Sequence, residues 1–300
     1  MQNDEVTINV ALVRNLIAAQ FSTWAERAIE PVESDGTDNC LFKLGDALVV
    51  RMPRVEWAVE QVEKEQRWLP VLARQLPLTV PTLVAKGRPD ETYPWPWSIY
   101  RWIDGYTATI ENVGTSIANA ISLAKFVQAL QKVDATDAPT HSRGEPLATR
   151  DAKTRECLLQ IRDLIDYGAA LEVWEDALSA EPWSRPSVWF HGDLHHGNLL
   201  VNHQRAQPRL SAVIDFGLMG AGDPACDLMS AWGLFSGEAR SAFHKTLAVD
   251  ESTWRRGRGF ALSQAAIYVP YYLKTQPKGV QNALRVIRQV TAEYASKFAH

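Results

Sequence analysis

The stretch His191-Gly-Asp-Leu-His-His-Gly-Asn-Leu-Leu200, followed shortly by Asp215-Phe-Gly217, decides how this chain is read. Asp193 and Asn198 stand five apart in a turn that leads into an apolar run, Leu199-Leu-Val201. A polar turn and a second apolar run, Leu210 to Ile214, then deliver Asp215 beside a glycine. Two strands joined by a turn would gather Asp193, Asn198 and Asp215 at one end of a hairpin. Two carboxylates and one amide oxygen are hard oxygen donors, the set that Mg²⁺ and a phosphate group require.

The Asp-x-x-x-x-Asn spacing followed by Asp-Phe-Gly matches the catalytic and metal loops of protein kinases. His191-Gly-Asp193 replaces their His-Arg-Asp, and Gly222-Asp-Pro-Ala-Cys-Asp-Leu228 follows the metal loop. In that order these features resemble the aminoglycoside phosphotransferase family, antibiotic kinases of the protein-kinase-like fold. The resemblance covers nearly the whole chain. It implies an α+β, two-lobed architecture. Residues 1–103 form a small N-terminal nucleotide-binding lobe with an antiparallel sheet, and residues 104–300 a mostly helical catalytic and acceptor-binding lobe. It also implies ATP or GTP as co-substrate, Mg²⁺ as cofactor, and transfer of the γ-phosphate to a hydroxyl of a small molecule. An aminoglycoside is the first acceptor to consider; a macrolide or another hydroxylated metabolite is the alternative. Under the resemblance Asp193 is the catalytic carboxylate, Asn198 and Asp215 carry the metal, and His191 braces the loop without reacting.

The donor side is expected ahead of this loop. Glu33-Ser-Asp-Gly-Thr-Asp-Asn-Cys40 is a polar turn before the strand-like Leu41-Phe-Lys-Leu44. In kinase-like folds such a loop covers the nucleotide phosphates with backbone N–H groups, and here only Gly36 frees the backbone. The next strand, Ala47-Leu-Val-Val-Arg51, ends in arginine where protein kinases have lysine. Arginine stays charged and can fork onto two phosphate oxygens, so Arg51 is read as the phosphate-contacting cation, with Lys43 the alternative. Residues 59–69 read as a helix, and by resemblance one of its glutamates pairs with that cation: Glu65, with Glu63 also open. Pro81 and Pro89 bracket a further strand. The apolar strand Ser98-Ile-Tyr-Arg-Trp-Ile-Asp-Gly105 corresponds to the family's hinge, whose backbone around Tyr100, Arg101, Trp102 and Ile103 meets the nucleobase.

Around these motifs the chain reads as helical. Val10, Val13, Ile17 and Phe21 give an amphipathic pattern over residues 6–29, and residues 114–134 read as a buried helix. Residues 137–150 form a loop. The stretch 156–181 is helical and acidic, with Arg162 its only base. Such a run is either a solvated face or the wall of a pocket for a polycationic acceptor. Tyr268, Tyr271, Tyr272 and the arginines around them make the C-terminal helices aromatic and basic, which suits a macrolide better.

The whole composition sets outer bounds. A chain of 300 residues, 46% apolar and 22% charged, can bury about 75% of its unfolded surface. A net charge of −4 speaks against bulk nucleic-acid affinity. Cys40, Cys157 and Cys226 lack metal spacing and fit a reducing cytoplasm. No apolar run approaches the ~20 residues of a membrane span. The expected partner is a small hydroxylated molecule, possibly a cationic antibiotic, taken up by a monomer or homodimer. Two rival readings were weighed. A His/Asp metal hydrolase built on His191, Asp193, His195 and His196 leaves Asn198 and Asp-Phe-Gly without a role. A nucleotide-binding module without catalysis would show a lost Asp193, Asn198 or Asp215, and all three are present.

Overall fold

Val13, Leu16 and Ile17 fall on one buried stripe of α1 (Val10–Gln20), whose first turn is capped by Asn9 accepting from the Leu12 N–H at 3.0 Å. The computed structural model describes residues 7–33, 38–202 and 207–296. The helix is shorter than the pattern over 6–29 suggests, because Phe21 leaves helical geometry and turns its ring onto Trp24 and Trp97, at 5.3 and 5.6 Å between centroids. The chain divides into two compact units, Met1–Tyr106 with Ser211–Leu218, and Thr107–Leu210 with Met219–His300.

In the first unit, period-2 alternation produces β1 (Ile29–Val32), β2 (Asn39–Leu44) and β3 (Leu48–Pro53). After α2 (Val59–Leu72) come β4 (Leu83–Gly87) and β5 (Trp97–Arg101). The sheet order is β1-β2-β3-β5-β4 and every pairing is antiparallel. Phe42, Leu44, Leu48, Val50, Met52, Trp97 and Ile99 meet the α1 stripe in one core; full burial of such a side chain contributes about 1.5–3 kcal/mol. Gly87 has to be glycine, since a Cβ there would overlap the Trp97 ring. Register places Arg51 opposite Leu41 on one side and Ser98 on the other. The return segment is held to this unit by Thr79, whose N–H donates to Ser211 O at 3.1 Å and whose carbonyl accepts from Val213 N at 2.9 Å. Asp215 therefore travels with the first unit.

β6 (Tyr106–Thr107) opens the way into the second unit. Its elements begin with α3 (Ile110–Val113), α4 (Ile117–Gln131), α5 (Asp151–Gln160) and α6 (Tyr167–Leu178). The strands β7 (Val188–Phe190), β8 (Leu199–Asn202), β9 (Arg209–Val213) and β10 (Gly220–Gly222) follow, β9 ending in the return segment. The chain closes with α7 (Ser230–Gly233), α8 (Gly237–Leu247), α9 (Glu251–Tyr272) and α10 (Pro277–Ser296). The acidic stretch 156–181 is two helices, because Asp166 starts α6 afresh by accepting from the Ala169 N–H at 3.0 Å. The loop 137–150 contains two short 3-10 turns, Ser142–Gly144 and Leu147–Arg150. β7 and β10 pair antiparallel, Phe190 opposite Gly220. Among the described residues no helix is long and apolar enough to cross a membrane.

Helix α9 is buried along most of its length, so its cations act as internal cross-links. Arg258, fully buried, reaches Asp176 at 2.7 Å and Glu293 at 3.5 Å. Arg255 joins Asp176 at 2.9 Å. Arg256 forks onto Asp223 through Nε at 2.7 Å and Nη2 at 3.1 Å, both residues only 4% exposed. Stranding one member of a buried pair is costly. Arg256→Met is expected to lower unfolding stability by about 3–5 kcal/mol in urea titrations. Adding Asp223→Asn, which keeps a side-chain oxygen for the Ala225 N–H, should recover part of the loss. A double variant no more stable than Arg256→Met would show that the cost is lost packing and not an unpaired charge.

Candidate active site

The first unit presents a buried cation between two carboxylates. Arg51, on β3, donates through Nη1 to Glu65 Oε2 and through Nη2 to Asp215 Oδ1, the latter at 2.8 Å. Glu65 is 1% exposed while Asp215 is half-exposed. Helical spacing explains the choice of glutamate: Glu65 lies on the buried face of α2 with Val62 and Leu69, and Glu63 faces solvent. Burial alone would weaken the guanidinium's hold on its proton. Glu65 and then Asp215 outweigh it and raise the Arg51 pKa above the ordinary arginine value. Tyr100 completes the cluster, its OH donating to Glu65 Oε2 at 3.0 Å. Burial, reinforced by Glu65, pushes that phenol upward, so it stays a neutral donor. Glu65 Oε1 is buried without a hydrogen-bond partner among the described residues. Lys43, the alternative cation, lies over the Trp102 ring at 5.2 Å.

The remaining donor-side residues take varied positions. The Arg101 N–H donates to Thr82 O and the Trp102 N–H to Ala47 O, at 2.9 and 2.8 Å. Ile103 follows β5 and is half-buried. Gly36 lies outside the described residues. Asp215 itself has φ 62°, left-handed backbone that aspartate tolerates better than most residues.

The second unit holds Asp193 and Asn198, in a loop fixed from two directions. Asp227 is fully buried, and its two oxygens accept from the His191 and Gly192 N–H groups at 2.8 Å each. Burial raises the Asp227 pKa, against the pull of His191 and those two hydrogen bonds. Gly192, at φ 82°, supplies a conformation closed to most L-residues. His191, with no exposure, accepts from the Asp193 N–H at its Nδ1, 3.2 Å away, so it braces the loop. Asn198 gives its amide hydrogens to Asp193 O and Oδ2, at 3.0 and 3.1 Å. His195 Nε2 approaches the same Oδ2 at 3.3 Å, and Arg143 Nη2 stands 3.8 Å from Oδ1. Burial would raise the Asp193 carboxyl. The hydrogen bond and charge of His195, then Arg143 and His191, overcome that and bring it down to about 2. At neutral pH Asp193 is an ionised acceptor with Oδ2 occupied and Oδ1 turned to a cation.

Sequence reasoning named Arg51, Glu65, Tyr100, Asp193, Asn198 and Asp215, and it missed three residues. Asp227 was legible, since it is the aspartate of the trailing Asp-Leu motif. His195 entered the sequence reading only as a ligand of the rival metal hydrolase. Arg143 gave no signal at all, as a lone base in a Pro/Gly-containing loop. Part of the acidic stretch 156–181 is paired within the unit: Arg155 takes Glu175 at 2.6 Å, Lys153 takes Glu156 at 3.0 Å and Arg258 takes Asp176 at 2.7 Å, while Asp163 and Glu172 stay exposed.

Each unit offers an oxygen donor of the kind a hard divalent cation takes. In the second unit Asn198, its amide hydrogens given to Asp193, keeps Oδ1; in the first, Asp215 keeps Oδ2 beyond the Arg51 contact. An amide oxygen and a carboxylate oxygen are each Mg²⁺-type donors, unlike the nitrogen and sulfur donors of zinc sites. The histidines do not offer a zinc set: His191 Nδ1 and His195 Nδ1 already accept backbone N–H bonds. Among the described residues no cluster of three His, Cys, Asp or Glu could hold a metal.

Comparison with known proteins bears on family and fold. The family model of the phosphotransferase enzyme family matches residues 28–260. No curated protein sequence gives a significant match. Among solved structures, the GDP and kanamycin complex of APH(2")-IIia superposes with a TM-score of 0.73 at 19% identity, covering 94% of this chain and 98% of that one. ADP-bound aminoglycoside phosphotransferase APH(2'')-Ib gives 0.60 at 15% identity, covering 95% and 98%. The apoenzyme of macrolide 2'-phosphotransferase MphH from Brachybacterium faecium gives 0.62 at 22% identity, covering 93% and 97%. At such identities the structures establish the kinase-like fold, and the family match supplies the rest: this chain belongs to the phosphotransferase enzyme family, as a small-molecule kinase.

Proposed function

We propose that the chain transfers the γ-phosphoryl group of a nucleoside triphosphate, ATP or GTP, to a hydroxyl of a small molecule. The observation that carries this reading is the pair of preorganised acidic centres. One is Asp215 gripped by the Arg51–Glu65 pair; the other is Asp193 locked through Oδ2 by Asn198 and His195. Residues 1–103 would bind the donor, with Gly36 in the loop over the phosphates and the backbone of Tyr100, Arg101, Trp102 and Ile103 against the base. Residues 104–300 would carry the acceptor. Cys40, Cys157 and Cys226 form no disulfide, which supports a cytoplasmic setting.

Phosphoryl transfer passes through a loose transition state, and catalysis is mostly positioning and charge neutralisation. Asp193 Oδ1 would accept the acceptor's hydroxyl hydrogen and aim its oxygen in line. An O–P bond forms there as the bridging O–P bond breaks, the electron pair leaves with the diphosphate, and the proton passes to Asp193. Asn198 and Asp215 would hold Mg²⁺, which when bound neutralises the phosphate oxygens. Arg51 would contact the donor phosphates directly.

An aminoglycoside is the acceptor that family resemblance puts first. A second reading, a less cationic acceptor such as a macrolide or another hydroxylated metabolite, gains from one observation. Asp151, Glu156, Glu175 and Asp176 on α5 and α6, acids that might have received a polycation, are paired with Arg155, Arg255, Arg258 and Lys153. A kinase assay across hydroxylated antibiotics, with ATP and GTP in parallel, separates these readings.

Three sets of variants probe the roles. Asp193→Asn is expected to slow transfer by about 100-fold or more while nucleotide titrations stay near wild type; equal loss of nucleotide affinity would reassign the residue. Asp215→Ala should abolish Mg²⁺-dependent nucleotide binding, and Asn198→Ala should bind better but turn over poorly. Normal turnover of Asp215→Ala in saturating Mg²⁺ would end the kinase assignment. Arg51→Ala should weaken nucleoside triphosphate binding by about 2–5 kcal/mol, part of it the cost of stranding Glu65, and leave nucleoside binding intact. Arg51→Lys should recover a fraction, because charge returns without the fork. Unchanged triphosphate affinity in Arg51→Ala would pass the role to Lys43.

A further inference from the structure

Asp193 has an arginine held in place beside it. Arg143 sits in the 3-10 turn Ser142–Gly144, and that turn is pinned to its neighbours by backbone bonds. Ala221 N donates to Pro139 O at 2.8 Å, and Asp223 N to Gly144 O at 2.9 Å. Gly144 cannot carry a side chain, because a Cβ would run into the Phe190 ring. The turn is thus clamped against β7 and β10, the strands that lead into and follow the Asp193 loop. Gln264 on α9 then fixes the guanidinium itself by accepting from Arg143 Nη1. Two independent supports hold one cation beside Asp193 Oδ1, the oxygen not taken by Asn198 or His195.

A second guanidinium stands next to it. Arg150 lies over the Phe260 ring at 5.3 Å, and its Nε is buried with no hydrogen-bond partner. Among the described residues no carboxylate forms an ion pair with Arg150. Its pKa falls to about 10, through burial first and the like charge of Arg143 second, so Arg150 stays charged at neutral pH. Arg143 therefore faces the carboxylate of Asp193, while Arg150 adds a second positive charge next to Arg143, with Glu145 the carboxylate that acts on it. A fixed positive charge is complementary to an anion, and a preorganised donor helps most where charge moves in the transition state.

We propose that Arg143 is a further residue of the transfer site, a guanidinium that neutralises the phosphoryl group as it passes onto the acceptor oxygen held by Asp193. This rests on Asp193 being the acceptor-side carboxylate. Arg150 keeps the local charge positive without touching the reacting atoms, and Gln264 positions Arg143. An arginine held against the carboxylate for stability alone would have no need of a second cation behind it.

The test needs no identified acceptor. Affinity for nucleoside diphosphate with Mg²⁺ is measured alone and with aluminium fluoride, which mimics the phosphoryl group in flight, using the intrinsic tryptophan fluorescence of the full chain. Arg143→Gln is expected to bind the diphosphate as wild type does, while losing about tenfold or more of the tightening that aluminium fluoride brings. Arg143→Lys should fall between the two, and Gln264→Leu, which frees the guanidinium without removing its charge, should show the smaller loss. Where an acceptor is turned over, Arg143→Gln should lower kcat by about 100-fold at unchanged KM for the nucleotide. Wild-type tightening retained in Arg143→Gln would overturn the proposal, as would a loss of diphosphate affinity equal to the loss with fluoride. A wild-type protein that binds no diphosphate would instead sink the kinase reading itself.

Discussion

Two backbone N–H groups, those of His191 and Gly192, converge on the buried carboxylate of Asp227, and the shape of the Asp193 loop depends on that convergence. A buried carboxylate is costly unless its oxygens are satisfied, and hydrogen bonds to a charged acceptor contribute about 1.5–3 kcal/mol each. The loop supplies what Asp227 lacks, and Asp227 supplies what the loop lacks. Gly192 makes the exchange possible by adopting a backbone conformation with positive φ. His191 extends the brace one residue further, to the Asp193 N–H. Asp193 is held before any substrate arrives.

Charge is distributed sparingly through the fold. Arg51, Arg255, Arg256 and Arg258 each meet a carboxylate within 3 Å, and most of the acids on α5 and α6 are used the same way. This changes the meaning of two surface features. Within the acidic run Glu175 and Asp176 cross-link α5, α6 and α9, and much of the basic character of the last helices is interior. Arg150 is held differently, with its guanidinium over the Phe260 ring.

The sequence carried the fold because its signals were local. Alternation in residues 39–53, the proline brackets around β4 and the glycine beside Asp215 each follow from short-range chemistry. Asp193, Asn198 and Asp215 were legible through spacing; Glu65 came by resemblance with Glu63 still open, and helical phase explains which of the two is buried, since a residue three after Val62 and four before Leu69 shares their face. What escaped notice depended on tertiary neighbours. Nothing near Arg143 in sequence announces that Gln264, far along the chain, will hold it. Asp166 restarting a helix inside the acidic run was also hidden, because an aspartate reads as a solvated charge until its cap is seen. The overlong first helix failed for a related reason: Phe21 fits the apolar pattern but packs sideways onto aromatic neighbours.

The chain Tyr100–Glu65–Arg51–Asp215 links strand β5, helix α2, strand β3 and the return segment through consecutive polar contacts. On the proposed reading its one end lies by the nucleobase and its other by the phosphates. The two ends of a nucleotide would then be sensed by a single connected network and not by separate subsites. Residues that share a partner do not contribute independently. Tyr100 and Arg51 both bond the same oxygen of Glu65, so energetic effects at the base end and at the phosphate end should be non-additive, and discrimination between purines becomes tied to the grip on the triphosphate.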